Sequence, residues 1–134
     1  MKVGVPKETY PGERRVALLP VNVAQLIKAD VQVVVEKGAG EPAGISDQQY
    51  QDKGAHIAAD RAEVFAADVV TQVRAYGANQ EAGQGDLQLL RPDSLVVGTC
   101  DPLGAAEAIS EFAKTGAKLF ALELIPRITR AQVM

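Results

Sequence analysis

Short apolar runs rich in β-branched residues alternate along this chain with segments whose apolar side chains repeat at helical spacing. The runs predict strands at residues 2–5, 31–35, 55–58, 69–73, 95–99 and 118–122. Helices are predicted to begin at Pro20, Ser46, Asp60 and Ala105. A weaker helix is predicted at residues 86–90. Since a parallel return needs a connection of about a dozen residues, this order predicts an α/β domain with a mostly parallel sheet of five or six strands.

The far end of the sequence predicts a helix that begins and then stops. Pro126 interrupts the last apolar run, Thr129 and Gln132 have capping-box spacing, and the sequence ends two residues later. A single helical turn is not stable alone. We therefore expect an α/β domain over residues 1–126 and, over residues 127–134, the start of an interdomain helix in a chain that continues.

The composition is that of one ordinary globular domain, with 134 residues of which 47% are apolar. The 14 basic and 17 acidic residues are scattered without long runs, so no basic stripe is available for a nucleic acid. No stretch approaches the roughly 18 uncharged apolar residues of a membrane-spanning helix. The single cysteine, Cys100, fits a reducing compartment. We therefore predict a cytoplasmic protein that binds no nucleic acid and does not insert this segment into a membrane.

Three segments resemble signatures of the alanine dehydrogenase and nicotinamide nucleotide transhydrogenase family. They are Lys7-Glu8 with GERRVALLP at residues 12–20, VEKGAG at residues 35–40, and ALELIPRITRAQ at residues 121–132. The resemblance implies a Rossmann-like or flavodoxin-like three-layer domain, the first of two, truncated before the nucleotide-binding domain. In the family, helices returning from beyond that second domain complete the first one, so exposed apolar surface and self-association are expected.

The resemblance implies a ligand-binding role for Arg15, because alanine dehydrogenases of the family hold their substrate carboxylate with the matching arginine. A guanidinium grips a carboxylate through two hydrogen bonds. The loop after the first strand also lies at the carboxyl end of the sheet, where such folds place ligands. A structural arginine that ties this loop to the sheet or to a domain interface is the alternative.

The lysine and histidine with which these dehydrogenases hold and protonate a keto acid are not found at the matching positions. Arg74 stands in place of the lysine, and Thr99, or Cys100 after a one-residue slip, stands in place of the histidine. Arginine keeps its proton up to a pKa above about 12, and threonine is no acid near neutral pH. Amino-acid dehydrogenation is therefore disfavoured.

A transhydrogenase needs neither group, because hydride passes directly between two nicotinamides and the protein supplies their position. In the matching junction signature, Arg127 would reach the bound NAD(H), and Ile128 and Thr129 would present backbone N–H groups at a helix start. Gln132 would lie where the nicotinamide rings meet and is the predicted catalytic residue. A capping box beside a helix-end arginine is the alternative interpretation of these residues.

The resemblance thus points to the NAD(H)-binding component, the α subunit, of proton-translocating NAD(P) transhydrogenases. It implies NAD(H) in the full-length protein, NADP(H) on a partner component, and no metal. It further implies a homodimer that docks to membrane-spanning components, in the cytoplasm and peripheral to the inner membrane. The chain alone is expected to be inactive. An alanine or saccharopine dehydrogenase-like enzyme and a non-catalytic assembly or regulatory domain remain the alternatives.

Three other features are not expected to carry chemistry. His56, the only histidine, lies in a minor strand. Cys100 follows a strand and is predicted to be a buried free thiol. The glycine-rich residues 38–44 lack the spacing of a dinucleotide fingerprint, and Glu41 and Pro42 stand where a phosphate-binding turn would run. A plain loop is predicted there.

Overall fold

Strands and helices alternate through residues 1–126, the part of the chain that the computed structural model describes. The strands are β1 (Lys2–Val5), β2 (Gln32–Glu36), β3 (His56–Ala58), β4 (Val69–Arg74), β5 (Leu95–Thr99) and β6 (Lys118–Ala121). The α-helices are α1 (Pro20–Lys28), α2 (Asp47–Asp52), α3 (Arg61–Phe65) and α4 (Ala106–Ala113). The predicted strands and main helices are confirmed, with small shifts at their ends.

The six described strands form one sheet in the order β3-β2-β1-β4-β5-β6, and every neighbouring pair is parallel. The predicted α/β fold is therefore confirmed, and the sheet is wholly rather than mostly parallel within residues 1–126. The strand order runs outward in both directions from the β1–β4 pair. In such folds a crevice opens at this switch point, outside the carboxyl ends of the strands, and ligands bind there.

Side chains that alternate along the strands divide the core between the two faces of the sheet. One face carries a cluster with α1 and α2 that includes Val5, Val23, Val33, Val35 and Tyr50. The other carries a cluster with α3 and α4 that includes Phe65, Val70, Val96 and Phe112. Each such buried side chain contributes roughly 1.5–3 kcal/mol relative to exposure. Helices therefore pack on both faces, as the three-layer prediction requires.

Local sequence determines where three of the helices begin. The Ser46 hydroxyl accepts the Gln49 N–H at 3.3 Å while the Gln49 side chain accepts the Ser46 N–H at 2.8 Å, so the predicted capping box of α2 is confirmed. The Asp60 carboxylate accepts the Glu63 N–H at 2.9 Å and caps α3. Pro20 is the first residue of α1, where its missing N–H costs nothing.

The weak helix predicted at residues 86–90 is wrong, because the segment forms a 3₁₀ turn at Gln84–Gln88. Gly85, with no side chain, lowers the helix propensity of this segment. Asp86 is only 8% exposed, and its carboxylate accepts two hydrogen bonds from Arg61. A tertiary ion pair therefore decides the local conformation here.

The last described segment follows β6. The strand ends at Ala121, one residue earlier than predicted, and a 3₁₀ turn occupies Leu122–Leu124. The predicted helix start within residues 127–134 lies outside the described residues. Within residues 1–126, no helix has the length and apolar character needed to cross a membrane.

Candidate functional site

The loop between β1 and α1, residues 6–19, lies against the carboxyl end of β4. The two carboxylate oxygens of Glu8 accept the backbone N–H groups of Val73 and Arg74, each at 2.9 Å. These donors are available because the β4–β5 register is irregular between Thr71 and Arg74. Burial raises the pKa of the Glu8 carboxyl, although both backbone hydrogen bonds oppose the shift. Glu8 therefore fastens this loop at the switch point of the sheet.

Arg15 and Arg74 both contact Glu13, whose side chain is only 5% exposed. Its carboxylate accepts Nε and Nη2 of Arg15 at 2.9 and 2.8 Å, and Nε of Arg74 at 2.9 Å. The Arg74 guanidinium also lies 4.0 Å from the centre of the Tyr10 ring. The hydrogen bond from Arg15, with that from Arg74, holds the pKa of the Glu13 carboxyl well below its usual range despite burial. One buried carboxylate thus links the loop to β4.

A cleft of about 520 Å³ opens beside this ion-pair group. Its walls come from the β1–α1 loop, β4, β5 and the segment after β6, and include Arg15, Val16, Leu18, Val73, Val97 and Leu122. The Arg15 side chain is 69% exposed. The structure therefore places Arg15 on a cleft at the carboxyl edge of the sheet, and its binding of a ligand carboxylate stays a prediction.

The geometry of Arg15 also supports the alternative structural role. Glu13 already occupies Nε and Nη2, the edge of the guanidinium that grips a carboxylate in bidentate fashion. A ligand would have to use Nη1 or displace Glu13. Because Glu13 also binds Arg74, Arg15 belongs to the contact that ties the loop to the sheet.

The positions matching the dehydrogenase lysine and histidine hold no group that exchanges a proton near neutral pH. Arg74 is engaged with Glu13. The Thr99 hydroxyl donates to the Val73 carbonyl. Cys100 is fully buried, as predicted, and burial together with the nearby Glu123 carboxylate raises the pKa of its thiol to about 12. The structure therefore gives keto-acid protonation no donor at these positions.

The remaining predicted features lie elsewhere. His56 begins β3, and its exposed ring nitrogen Nε2 lies 3.0 Å from the Glu63 carboxylate. Residues 38–44 form turns that include a short 3₁₀ turn at Glu41–Ala43, so the predicted loop is confirmed. His56 does not line the cleft, and of residues 38–44 only Ala43 does.

The predicted cofactor-binding residues, Arg127, Ile128, Thr129 and Gln132, lie outside the described residues, and their roles stay predictions. Leu122, five positions before Arg127 in the sequence, is part of the cleft wall. The chain therefore borders the cleft where it leaves β6, at Leu122.

Arg61, which no sequence motif indicates, links four segments on the other side of the same edge of the sheet. Its Nε and Nη2 donate to Asp86 at 2.6 and 2.8 Å, while Nη1 donates to Glu36 at 2.9 Å and to the Lys7 carbonyl at 2.7 Å. The Arg61 side chain is only 18% exposed. These partners come from separate segments of the chain, so no local sequence motif predicts the contacts. The only sequence signal is that Lys7 and Glu36 stand where apolar strands end.

Replacing Glu13 with glutamine should lower the free energy of unfolding by about 1–2 kcal/mol at pH 7, because two arginines lose their anionic acceptor. The folded pKa of Glu13 lies below its unfolded value. This contribution is therefore present above about pH 4.3 and is lost as the pH falls toward the lowered folded pKa. Urea unfolding of both proteins between pH 7 and pH 3 should show the difference shrinking in acid.

The matched control is Glu81→Gln. Glu81 is exposed and makes no side-chain hydrogen bond or ion pair with the described residues, so its replacement should change the stability by less than about 0.5 kcal/mol at either pH. A Glu13→Gln difference that stays constant with pH would contradict the ion-pair explanation.

The fold and the cleft together define a doubly wound α/β domain with an open cleft at the carboxyl ends of its parallel strands. The family profile for the alanine dehydrogenase/PNT N-terminal domain matches residues 4–134. The chain belongs to this family, as the sequence motifs predicted.

Three relatives show how far the similarity extends. The NAD(P) transhydrogenase subunit alpha of Cereibacter sphaeroides is 36% identical over 135 aligned positions, which cover 100% of this chain and 25% of that protein. The structure of a transhydrogenase from Sinorhizobium meliloti has a TM-score of 0.90 at 39% identity and covers 100% of this chain and 38% of that one. An L-alanine dehydrogenase structure has a TM-score of 0.87 at 27% identity, with 98% and 34% covered. The chain thus spans a quarter to just over a third of these relatives.

Proposed function

We propose that this domain is the first domain of an NAD(P) transhydrogenase α subunit, which passes hydride between NAD(H) and NADP(H). The observation that carries the proposal is the chemistry of the cleft edge. Where a dehydrogenase of this family would need groups that hold and protonate a keto acid, the chain has an ion-paired Arg74, a Thr99 bound to a carbonyl and a buried Cys100. Direct hydride transfer needs no proton donor, so this edge is compatible with it.

In this proposal, the junction residues contact the cofactor. Arg127 reaches bound NAD(H), Ile128 and Thr129 offer backbone N–H groups at the start of a helix, and Gln132 lies where the two nicotinamide rings meet. Gln132 positions the rings without exchanging a proton. The adenosine and pyrophosphate are gripped by a second, nucleotide-binding domain that follows in the complete protein. The present chain alone therefore has no activity and weak or no affinity for NADH.

The proposed partners follow from the same assignment. The complete subunit forms a homodimer in the cytoplasm and docks to an NADP(H)-binding component. Membrane-spanning components of the assembly couple hydride transfer to proton translocation and hold the subunit at the inner membrane. No metal takes part in this scheme.

The β4–β6 half of the sheet is a surface on which a further segment would pack. Thr71, Val73 and Val97 line the open cleft on one face, and Phe120 is 50% exposed. Parallel sheets are nearly always covered on both faces. We propose that polypeptide beyond residue 134 covers this face in the complete protein, and that residues 1–134 alone self-associate through it.

The test of the proposed function is hydride exchange catalysed by the product of the complete reading frame, mixed with an NADP(H)-binding partner component. Oxidation of NADH by an NADP⁺ analogue with a shifted absorbance is followed, and pyruvate with ammonium serves as the control substrate. Exchange without pyruvate turnover supports the proposal. Pyruvate-dependent oxidation of NADH would favour an alanine dehydrogenase, in keeping with the 0.87 TM-score to that enzyme. Neither activity would favour an assembly or regulatory domain.

A variant pair sharpens this test. Arg127→Met should raise the KM for NADH about tenfold or more, because a charge-assisted contact to the cofactor is lost. Arg91→Met removes an equal charge from a surface pair whose partners are about half exposed, Arg91 with Asp68, and should leave the KM unchanged. Equal kinetics in the two variants would remove Arg127 from the cofactor site.

A further inference from the structure

Glu123 lies in the 3₁₀ turn that follows β6, and its carboxylate reaches back to the end of β5. One oxygen accepts the N–H of Cys100 at 2.8 Å and the N–H of Asp101 at 2.6 Å. The other oxygen lies 3.0 Å from the same Cys100 nitrogen. A single side chain therefore ties the exit of β6 to the exit of β5.

The two donors converge because of the backbone conformation after β5. Asp101 has a φ of +49°, in the left-handed region, and consecutive N–H groups around such a residue form a concave nest for anions. Pro102 comes next and has no N–H, so Cys100 and Asp101 supply the donors. Desolvation alone would raise the pKa of the Glu123 carboxyl, but the backbone hydrogen bonds outweigh it and the pKa is lowered. The nest therefore holds a carboxylate rather than a carboxylic acid near neutral pH.

The residues after Glu123 have little anchoring of their own among the described residues. Leu124 is 60% exposed and Ile125 is 41% exposed. Only three residues separate Glu123 from Arg127, and Pro126 both fixes its own φ and keeps Ile125 extended, with φ −70° and ψ 129°. The contact of Glu123 therefore sets the direction of residues 124–126, the last described residues.

We propose that Glu123 is a positioning residue for the cofactor site: its carboxylate, bound in the Cys100–Asp101 nest, fixes the course of residues 122–126, which precede the junction signature in the sequence. The inference rests on the proposed function only for the ligand, NAD(H). The chain itself supplies the anion for this nest, so the end of β5 is closed to a phosphate or carboxylate of the ligand.

The first arm of the test measures the anchor without any cofactor. Amide hydrogen exchange of residues 1–134 is followed by NMR in wild type, Glu123→Gln, Glu123→Ala and the control Glu107→Ala. Glu107 is exposed on α4 and makes no side-chain hydrogen bond to the described residues. The Cys100 and Asp101 amides should exchange at least about tenfold faster in Glu123→Ala, by a smaller factor in Glu123→Gln, and at the wild-type rate in the control.

The amides of Val70 and Val96, in the central strands, report on global unfolding in the same spectra. If these amides accelerate as much as those of Cys100 and Asp101 in Glu123→Ala, that variant has lost its fold rather than its anchor. The anchor is then judged from Glu123→Gln, which keeps one acceptor oxygen. Unchanged Cys100 and Asp101 exchange in both variants overturns the anchor.

The second arm measures NADH binding and hydride exchange with the complete protein at a temperature well below unfolding. The Kd for NADH should rise about five- to tenfold in Glu123→Ala, less in Glu123→Gln, and not at all in Glu107→Ala. A residue that acts only on stability would lower the unfolding temperature and leave the Kd unchanged. If the wild-type protein exchanges hydride and Glu123→Ala has an unaltered Kd for NADH, the positioning role alone is overturned. If the wild-type protein neither binds NADH nor exchanges hydride, the proposed function is overturned.

Discussion

Replacing Arg61 with methionine should lower the free energy of unfolding by about 3–5 kcal/mol, because the change leaves buried carboxylates without their cation. The Arg61 guanidinium serves Asp86, Glu36 and the Lys7 carbonyl at once, with distances of 2.6–2.9 Å. The side chains of Asp86 and Glu36 are only 11% and 17% exposed, so water cannot readily replace the lost donors. Methionine keeps the apolar stem and isolates the loss of charge.

Urea unfolding monitored by circular dichroism measures this loss. Arg91→Met is the matched control, because Arg91 is 50% exposed and reaches Asp68 only at 3.3 Å. Exposed pairs of this kind contribute little to stability, because water and salt screen the two charges. Similar losses for the two variants would mean that the Arg61 network adds no more than a surface ion pair. Arg61→Lys keeps the charge without the planar fork and should fall between wild type and Arg61→Met.

Replacing Gly77 with alanine should cost at least about 3 kcal/mol, because two penalties fall on one residue. Gly77 has a φ of +105°, which side-chain-bearing residues rarely adopt. An added Cβ would also overlap the backbone carbonyl oxygen of Cys100, which a side-chain movement cannot relieve. The backbone after β4 would have to move away from the end of β5, at the edge that carries the cleft.

Two other glycines separate these penalties. Gly12 has a φ of +83° with open space around its Cβ position, so Gly12→Ala should cost only about 1 kcal/mol. Gly85 has neither a positive φ nor a neighbour within 4 Å, and Gly85→Ala should stay within about 0.5 kcal/mol of wild type. Thermal unfolding of the three variants should therefore rank them Gly85, Gly12 and Gly77. Equal losses at Gly12 and Gly77 would show that the close approach to Cys100 costs nothing.

The cleft edge illustrates what a sequence motif does and does not reveal. The segment at residues 12–20 identified the family and singled out Arg15. It did not reveal that Glu13, two residues earlier, would accept two hydrogen bonds from Arg15 and a third from Arg74. That arrangement depends on the bend of the β1–α1 loop, which Glu8 holds through the N–H groups of an irregular stretch of β4. Such a contact joins residues more than sixty positions apart, and no local pattern records it.

The strands and helices could be predicted from local sequence patterns, because each element depends on residues that are close together in the chain. Strands at β-branched runs, α2 at the Ser46–Gln49 capping box and α1 at Pro20 follow from propensity and periodicity within a few residues. The parallel sheet follows from the length of the connections between strands. These features need no knowledge of distant partners.

The pairing of charged groups, in contrast, depends on contacts between distant segments. The Arg61 network, the Glu13 pair and the Glu123 nest each join segments that the sheet order brings to one edge. A desolvated charge is stable only beside a specific partner, and the choice of partner depends on strand order, register and the backbone angles of single residues such as Asp101. That information is distributed over the whole chain. Composition and periodicity therefore predicted the domain, the resemblance of three motifs predicted its family, and the fold assigned the contacts of the cleft.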